Sequence, residues 1–502
     1  MKSICRRPLN CLSAEAITNS RHGTRLSRAA AAASAGNGLN LFEPAARSLP
    51  LRLWKAALRG FAMATAAALF STFNLRSDDW PQWLGPQRDA VWRETRIVEK
   101  FPTNGFKYRW RVPIGGGYSG PAVANGRVYV MDRQLAKDAK PSANAFSRGE
   151  IPGSERVLCL NEADGKILWQ HEYDCPYTVS YGAGPRVTPA VADGKVYTLG
   201  AEGNLVCLNA EKGTALWSHD FKKDFRIKTP MWGFAGHPLV DGKKLICLAG
   251  GDGSVAVAFD RDTGKELWRA LTAKEPGYAP PMIYEFAGKR QLIIWHPEAV
   301  NSLDPDTGKI FWTYPLTPSV RSGMTIPSPR KVGDLLFLTS FYNGSLLLRV
   351  GADPPEIVWQ SKKVSEMDTD GLHSVMATPL IENGYIYSPC SYGQFRCLKL
   401  ETGERLWETF APTSGKSARG GHAFLVQNGD RSFIFSETGD LIIAQLTPEK
   451  YEELSRAHLL DPVNRDPGRP VVWSHPAFAN QSVYARNDKE IICVSLSADE
   501  QR

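Results

Sequence analysis

Eight tryptophans recur along the chain: Trp110, Trp169, Trp217, Trp268, Trp312, Trp359, Trp407 and Trp473. The intervals between them are 59, 48, 51, 44, 47, 48 and 66 residues. A period of roughly 40–50 residues points to a β-propeller or another repeat array. This spacing constrains the architecture before any chemical motif is considered.

The unit between tryptophans has a constant anatomy. A proline-led apolar strand is followed by a Gly turn, a second strand and a second Gly turn. A third strand, a polar turn of the form Asp-x-x-Thr-Gly and a closing strand bearing the tryptophan complete it. Residues 188–217, TPAVADGKVYTLGAEGNLVCLNAEKGTALW, show the whole pattern. Short alternating runs broken by Asp-Gly, Asn-Gly and Thr-Gly are hairpin signals. Gly supplies positive φ at such turns, and Asp or Asn caps neighbouring amides. First strands begin at Pro121, Pro189, Pro238, Pro281, Pro329, Pro379, His422 and Pro476. After Trp473 only three strands remain, and FKYRWRVP (106–113) is free to supply the fourth. The expected fold is all-β: an eight-bladed propeller over 78–498, its last blade closed by N- and C-terminal strands, which removes an exposed sheet edge.

The net charge of +8 is concentrated at one end. Residues 1–76 hold eleven Lys/Arg against Glu15 and Glu43, a net of +9, so the remainder carries about −1 (49 basic, 50 acidic). The repeat region therefore has no global electrostatic case for nucleic acid. Within the N-terminal extension 1–76, Arg47, Arg52, Lys55 and Arg59 precede a 13-residue apolar stretch, Phe61 to Phe73. That length suits a signal-peptide core and falls short of the roughly 20 residues needed to span a bilayer. The expectation is export to the periplasm, with an uncleaved inner-membrane anchor as the alternative and the only route to membrane association. Beyond the apolar core the first cysteine is Cys159, which argues against a lipid-modified N-terminal cysteine. Cys159, Cys207 and Cys397 share one repeat position, six residues before Gly165, Gly213 and Gly403, and read as small buried apolar residues.

Two units depart from the period. Unit one carries a long polar loop from about Arg133 to Glu155. Unit seven carries an insertion at 447–470, where Thr447 as N-cap, Pro448 and Glu449 predict a short helix to about Leu460.

Ala258, Asp260, Thr263, Gly264, Lys265 and Trp268 match in full the tryptophan-docking pattern of the pyrroloquinoline-quinone (PQQ) repeat superfamily. Units ending at Trp169, Trp217, Trp312 and Trp407 match partly, and the resemblance spans essentially 78–497. It implies the propeller fold and two kinds of function. Quinoprotein alcohol dehydrogenases use PQQ with Ca²⁺, an adjacent-cysteine disulfide and an Asp base. Non-enzymatic members include the scaffold propeller of outer-membrane β-barrel assembly. This chain has neither an adjacent Cys pair nor Cys-x-x-Cys-His. The expected function is accordingly an exported ligand- or protein-binding scaffold module. The alternative is a PQQ-dependent alcohol or polyol dehydrogenase.

In a propeller, loops joining an outer strand to the next inner strand gather at one channel mouth. Those loops are expected to bring Arg186, Trp232, His237, Arg321, His373, Arg419 and His422 toward one another. Aromatic walls with cationic donors suit a small anionic ligand or an acidic segment of an exported protein partner. The alternative is that these residues plug the channel and satisfy loop backbone. The three loop histidines lack metal-ligand spacing. His171, His219 and His475, each two residues after a repeat tryptophan, read as structural or surface residues, and Asp368 and Asp370 as a solvated turn. No metal site is expected.

Overall fold

The structure, a computed structural model, describes residues 78–500 except 104, 143, 318–322, 352–353, 364 and 467–468. The N-terminal extension, its apolar stretch and Arg321 lie outside the described residues. Eight four-stranded antiparallel sheets follow one another around the ring. In blade one the strands are Ala122–Ala124, Arg127–Leu135, Gly153–Asn161 and Ile167–Asp174, from channel to rim. Blades two to seven repeat this order, with inner strands starting at Ala190, Leu239, Met282, Arg330, Leu380 and Ala423. Each starts directly after the residue expected to lead it. Blade eight combines Ala477–Ala479, Ser482–Arg486 and Glu490–Ser495 with Tyr108–Pro113, so both ends of the repeat region close the ring.

The tryptophans couple each blade to the next. Asp260 Oδ1 accepts from the amides of Asp262 and Thr263 at 3.1 and 2.9 Å and from the Thr263 hydroxyl at 2.8 Å. That cap fixes a turn whose Gly264 has φ +75°. The Trp217 ring of the preceding blade lies against this glycine, and its indole N–H donates to Arg261 O at 3.1 Å. Trp110, Trp169, Trp268, Trp359 and Trp407 likewise donate to carbonyls of the following blade. Trp312 differs: its N–H turns to Gln291 Oε1 of its own blade at 3.0 Å. Cys159, Cys207 and Cys397 pair across the sheet with Trp169, Trp217 and Trp407. All three are buried free thiols.

Two expectations for blade seven are corrected. No helix follows Thr447; residues Tyr451–His458 form the outer strand. Thr447 Oγ1 instead caps a tight turn by accepting from the Glu449 and Lys450 amides, and the strand pairs with Asp440–Leu446. Local cap chemistry is shared by helix starts and turns, and the open edge of the third strand decides the outcome. Trp473 is therefore not a repeat tryptophan. Ser455 holds that register position opposite Ile443 and accepts from the Phe101 amide at 2.9 Å. Residues 459–466 and 469–472 follow, with a two-stranded ribbon, Asn464–Asp466 and Arg469–Val471, that brings Arg469 to the mouth.

Residues 79–98 form a belt beneath the ring. Trp80 exchanges hydrogen bonds with Val123 of blade one, and Pro81 O accepts from Val191 of blade two. The Arg88 guanidinium donates to Pro238 O and Pro281 O, leading blades three and four. Arg330 of blade five donates to Asp89 O. Trp92 N–H donates to Gln427 O of blade seven, and Glu94 accepts from Gln481 of blade eight. Seven blades thus bond to one short segment. Trp80, Leu84 and Trp92 are almost fully buried in the largest apolar cluster, shared with blades one, seven and eight. Among the described residues, no helix is long and apolar enough to cross a membrane.

Candidate functional site

The mouth opposite the belt's hairpin contacts encloses a cavity of about 350 Å³, within the usual size range of small-molecule sites. Its floor is Trp83, raised from the belt with its indole N–H on Ser328 Oγ at 3.0 Å. Trp232 comes from the loop between blades two and three, and Trp473 from the segment entering blade eight. Tyr118, Tyr181, Tyr278, Phe341, Tyr342 and Phe424 continue the wall. Phe146 is contributed by the long loop of blade one, and Arg469 by the ribbon after blade seven.

Of the residues expected here, Arg186, Trp232, His237 and Arg419 line the cavity. His422 is buried behind it, against the Phe424 ring with centroids 4.3 Å apart. His373 is fully buried and sits outside the lining; its Nδ1 lies 3.3 Å from Phe341 O and its amide donates to Cys390 Sγ. Arg321 falls outside the described residues. His475, read as structural or surface, is instead buried in the lining, edge-on to Trp83 at 4.9 Å. Its regular offset from Trp473 is a coincidence of spacing, since that tryptophan left the repeat. His219 does hold a structural place, with Nε2 2.7 Å from Gly264 O and Nδ1 2.8 Å from Asp224. Asp370 caps the Lys362 and Lys363 amides, as a solvated turn does.

The histidines around the floor are neutral. Burial, then the positive charge of Arg88 and the repulsion that a protonated His475 would add, hold His237 well below the usual imidazole range. Its Nδ1 accepts from Thr188 N–H at 3.0 Å, which fixes the ring's tautomer. Burial lowers His475 to about 4 and His422 to about 3. The cations are held by other groups. Arg419 donates twice to Glu366 Oε2, at 2.7 and 3.2 Å, which raises its pKa. Arg469 lies 2.8 Å from the buried Glu437 and donates to Arg419 O. Arg186 donates to four main-chain carbonyls, those of Trp232, Gly184, Ser180 and Tyr181, and its guanidinium lies over the Tyr118 ring, 5.2 Å from the centroid.

Among the described lining residues there is no Asp, Glu, Asn or Gln. Ca²⁺ takes oxygen ligands, six to eight of them, and a dehydrogenase of the quinoprotein kind adds a carboxylate base. The residues present do not fit a Ca²⁺-bound quinone. Nor does any group of His, Cys, Asp and Glu among the described residues approach a metal-holding arrangement.

Much of this lining escaped the sequence. Trp83 stands outside the repeats, and Phe341, Tyr342 and Tyr278 carry no motif. Phe146 and Arg469 had a signal: both lie in insertions that chain direction places at the mouth end.

Residues 153–409 and 298–502 match the family described as outer membrane protein assembly factor BamB. A protein of that name from Burkholderia pseudomallei (strain K96243) is 26% identical over 275 residues, 51% of this chain. The match spans 63% of that relative's length. Among solved structures, a quinohemoprotein alcohol dehydrogenase from Comamonas testosteroni superposes with a TM-score of 0.55 at 14% identity. The superposition covers 84% of this chain and 80% of that one. A europium-containing methanol dehydrogenase gives 0.54 at 14% identity, covering 83% and 89%. At such identity these likenesses concern the fold alone.

Proposed function

Because the chain belongs to the BamB family of PQQ-like repeat propellers, we propose that it acts as an exported binding module. In this reading the ring is a rigid scaffold, and the mouth cavity receives a ligand or a group presented by a protein partner. The relative's name ties it to outer-membrane assembly, and a partner from that process is the one we assign here. Export rests on the basic run and apolar stretch before residue 76.

One observation carries the reading. The described lining has ten aromatic side chains and neutral buried histidines, but no carboxylate to act as base or cation ligand. Such a surface supplies apolar contact and stacking, which bind without demanding chemistry. The rival reading, a PQQ-dependent dehydrogenase, lacks its donors in this lining. The purified protein, supplied with PQQ and Ca²⁺, should reduce no dye with a panel of alcohols and polyols. Saturable PQQ binding with turnover would overturn the binding-module assignment.

A further inference from the structure

The charge pattern at the mouth is narrower than its aromatic lining. We propose that the cavity accepts a fused-ring aromatic molecule bearing a single negative charge, an aryl carboxylate. This rests on reading the mouth as the binding site.

The ring is specified by the tryptophans. Trp83 closes the floor, and Trp232 and Trp473 stand at the sides. Flat apolar surfaces of this kind favour a planar partner in offset or edge contact.

The charge is specified by which arginine has a carboxylate. Arg419 is offset by Glu366 and Arg469 by Glu437. No carboxylate among the described residues pairs with Arg186, so among the described lining arginines its positive charge alone is balanced by carbonyl dipoles and the face of the Tyr118 ring, 5.2 Å away. A cationic ligand meets that charge as repulsion, although aromatic boxes otherwise attract cations. An anion is attracted, but it cannot be gripped in a fork. Of the five guanidinium N–H groups, four of Arg186 already donate to carbonyls. The forks of Arg419 and Arg469 are engaged as well. A second or third carboxylate would therefore lose its water without gaining a guanidinium fork of its own. One charge matches the site; several do not.

The test compares three probes of one ring system on the intact protein, followed by calorimetry and tryptophan quenching. The probes are 1-naphthoate, 1-naphthalenemethanol and (1-naphthylmethyl)trimethylammonium. The expected result is that naphthoate binds roughly tenfold more tightly than the alcohol, with an affinity that falls as salt is raised. The ammonium probe should not bind. Trp232→Ala should weaken naphthoate and alcohol alike. If the alcohol binds as tightly as naphthoate, or the ammonium binds best, the charge assignment is overturned while the mouth remains a binding site. If no probe binds at millimolar concentration, the reading of the mouth itself falls, and this proposal with it.

Discussion

Trp83 lies flat against His237, ring centroids 3.9 Å apart and planes 9° from parallel. One ring comes from the belt under the propeller, the other from the loop between blades two and three. The contact turns an open channel into a cavity with a floor. It also places a neutral imidazole, fixed by the Thr188 amide, flat against the indole in the cavity lining.

Removing that floor should be costly. Trp83→Ala deletes a ring that is 9% exposed, along with its bond to Ser328. Losses of about 3–5 kcal/mol accompany such truncations. Urea unfolding should show a lower midpoint at similar slope. A loss below about 1 kcal/mol would mean the indole is not packed as described.

Two glycines separate backbone strain from tryptophan docking. Gly242 has φ +56° with nothing within 4 Å of an added Cβ, whereas at Gly264 that atom would meet the Trp217 ring at 2.8 Å. Gly242→Ala should cost about 1–2 kcal/mol, the left-handed penalty alone. Gly264→Ala should add about 1–3 kcal/mol of overpacking. In a double-mutant cycle, Trp217→Ala should remove the excess. Equal costs at both glycines would argue against the docking contact.

Stability should weaken in acid through the floor histidines. His475 titrates at about 4 in the fold and near 6.5 in an unfolded chain. Between those values the unfolded state holds the additional proton, so stability is complete above about pH 6.5 and declines toward pH 4. His475 alone accounts for a loss on the order of 3 kcal/mol, and the lowered His237 and His422 act in the same direction. Unfolding midpoints at pH 7 and pH 4.5 measure the effect. His475→Phe should shrink the difference, and an unchanged difference would rule out this histidine as a cause.

Uncovering a second positive charge should strengthen anion binding. Glu366→Gln leaves Arg419 in place but removes the carboxylate that offsets it. The pair is partly exposed, so the gain should be modest, about two- to fivefold for naphthoate. The uncharged alcohol should bind as before. A similar change for both probes would point to a steric effect instead.

The ring was legible because its signals are local and repeated. Eight proline- or histidine-led first strands and the Asp-x-x-Thr-Gly turns each announce a hairpin within a few residues. Closure by Tyr108–Pro113 followed from counting strands. Blade seven was misread where two structures share a local code: Thr447-Pro448-Glu449 suits a helix start as well as a turn. Only the unpaired third strand, a tertiary fact, decides between them. Trp473 was misassigned because its distance from Trp407 resembles a period lengthened by an insertion, while Ser455 keeps the register slot without an indole to mark it. The cavity was legible in Arg186, Trp232, His237 and Arg419, which lie on the loops that chain direction brings to the mouth. Trp83 reaches Ser328 across 245 residues of sequence, and no periodicity reports so distant a contact.

The belt also sets an order of events. Residues 79–98 leave the ribosome before any blade does, yet their partners lie in blades up to the eighth. Trp80 meets Val123 of blade one early, but Trp83 must wait for Ser328 and Trp92 for Gln427 and Phe478, so most of their loop closures are long. The earliest part of the propeller to be translated thus completes its contacts only when the eighth blade has arrived.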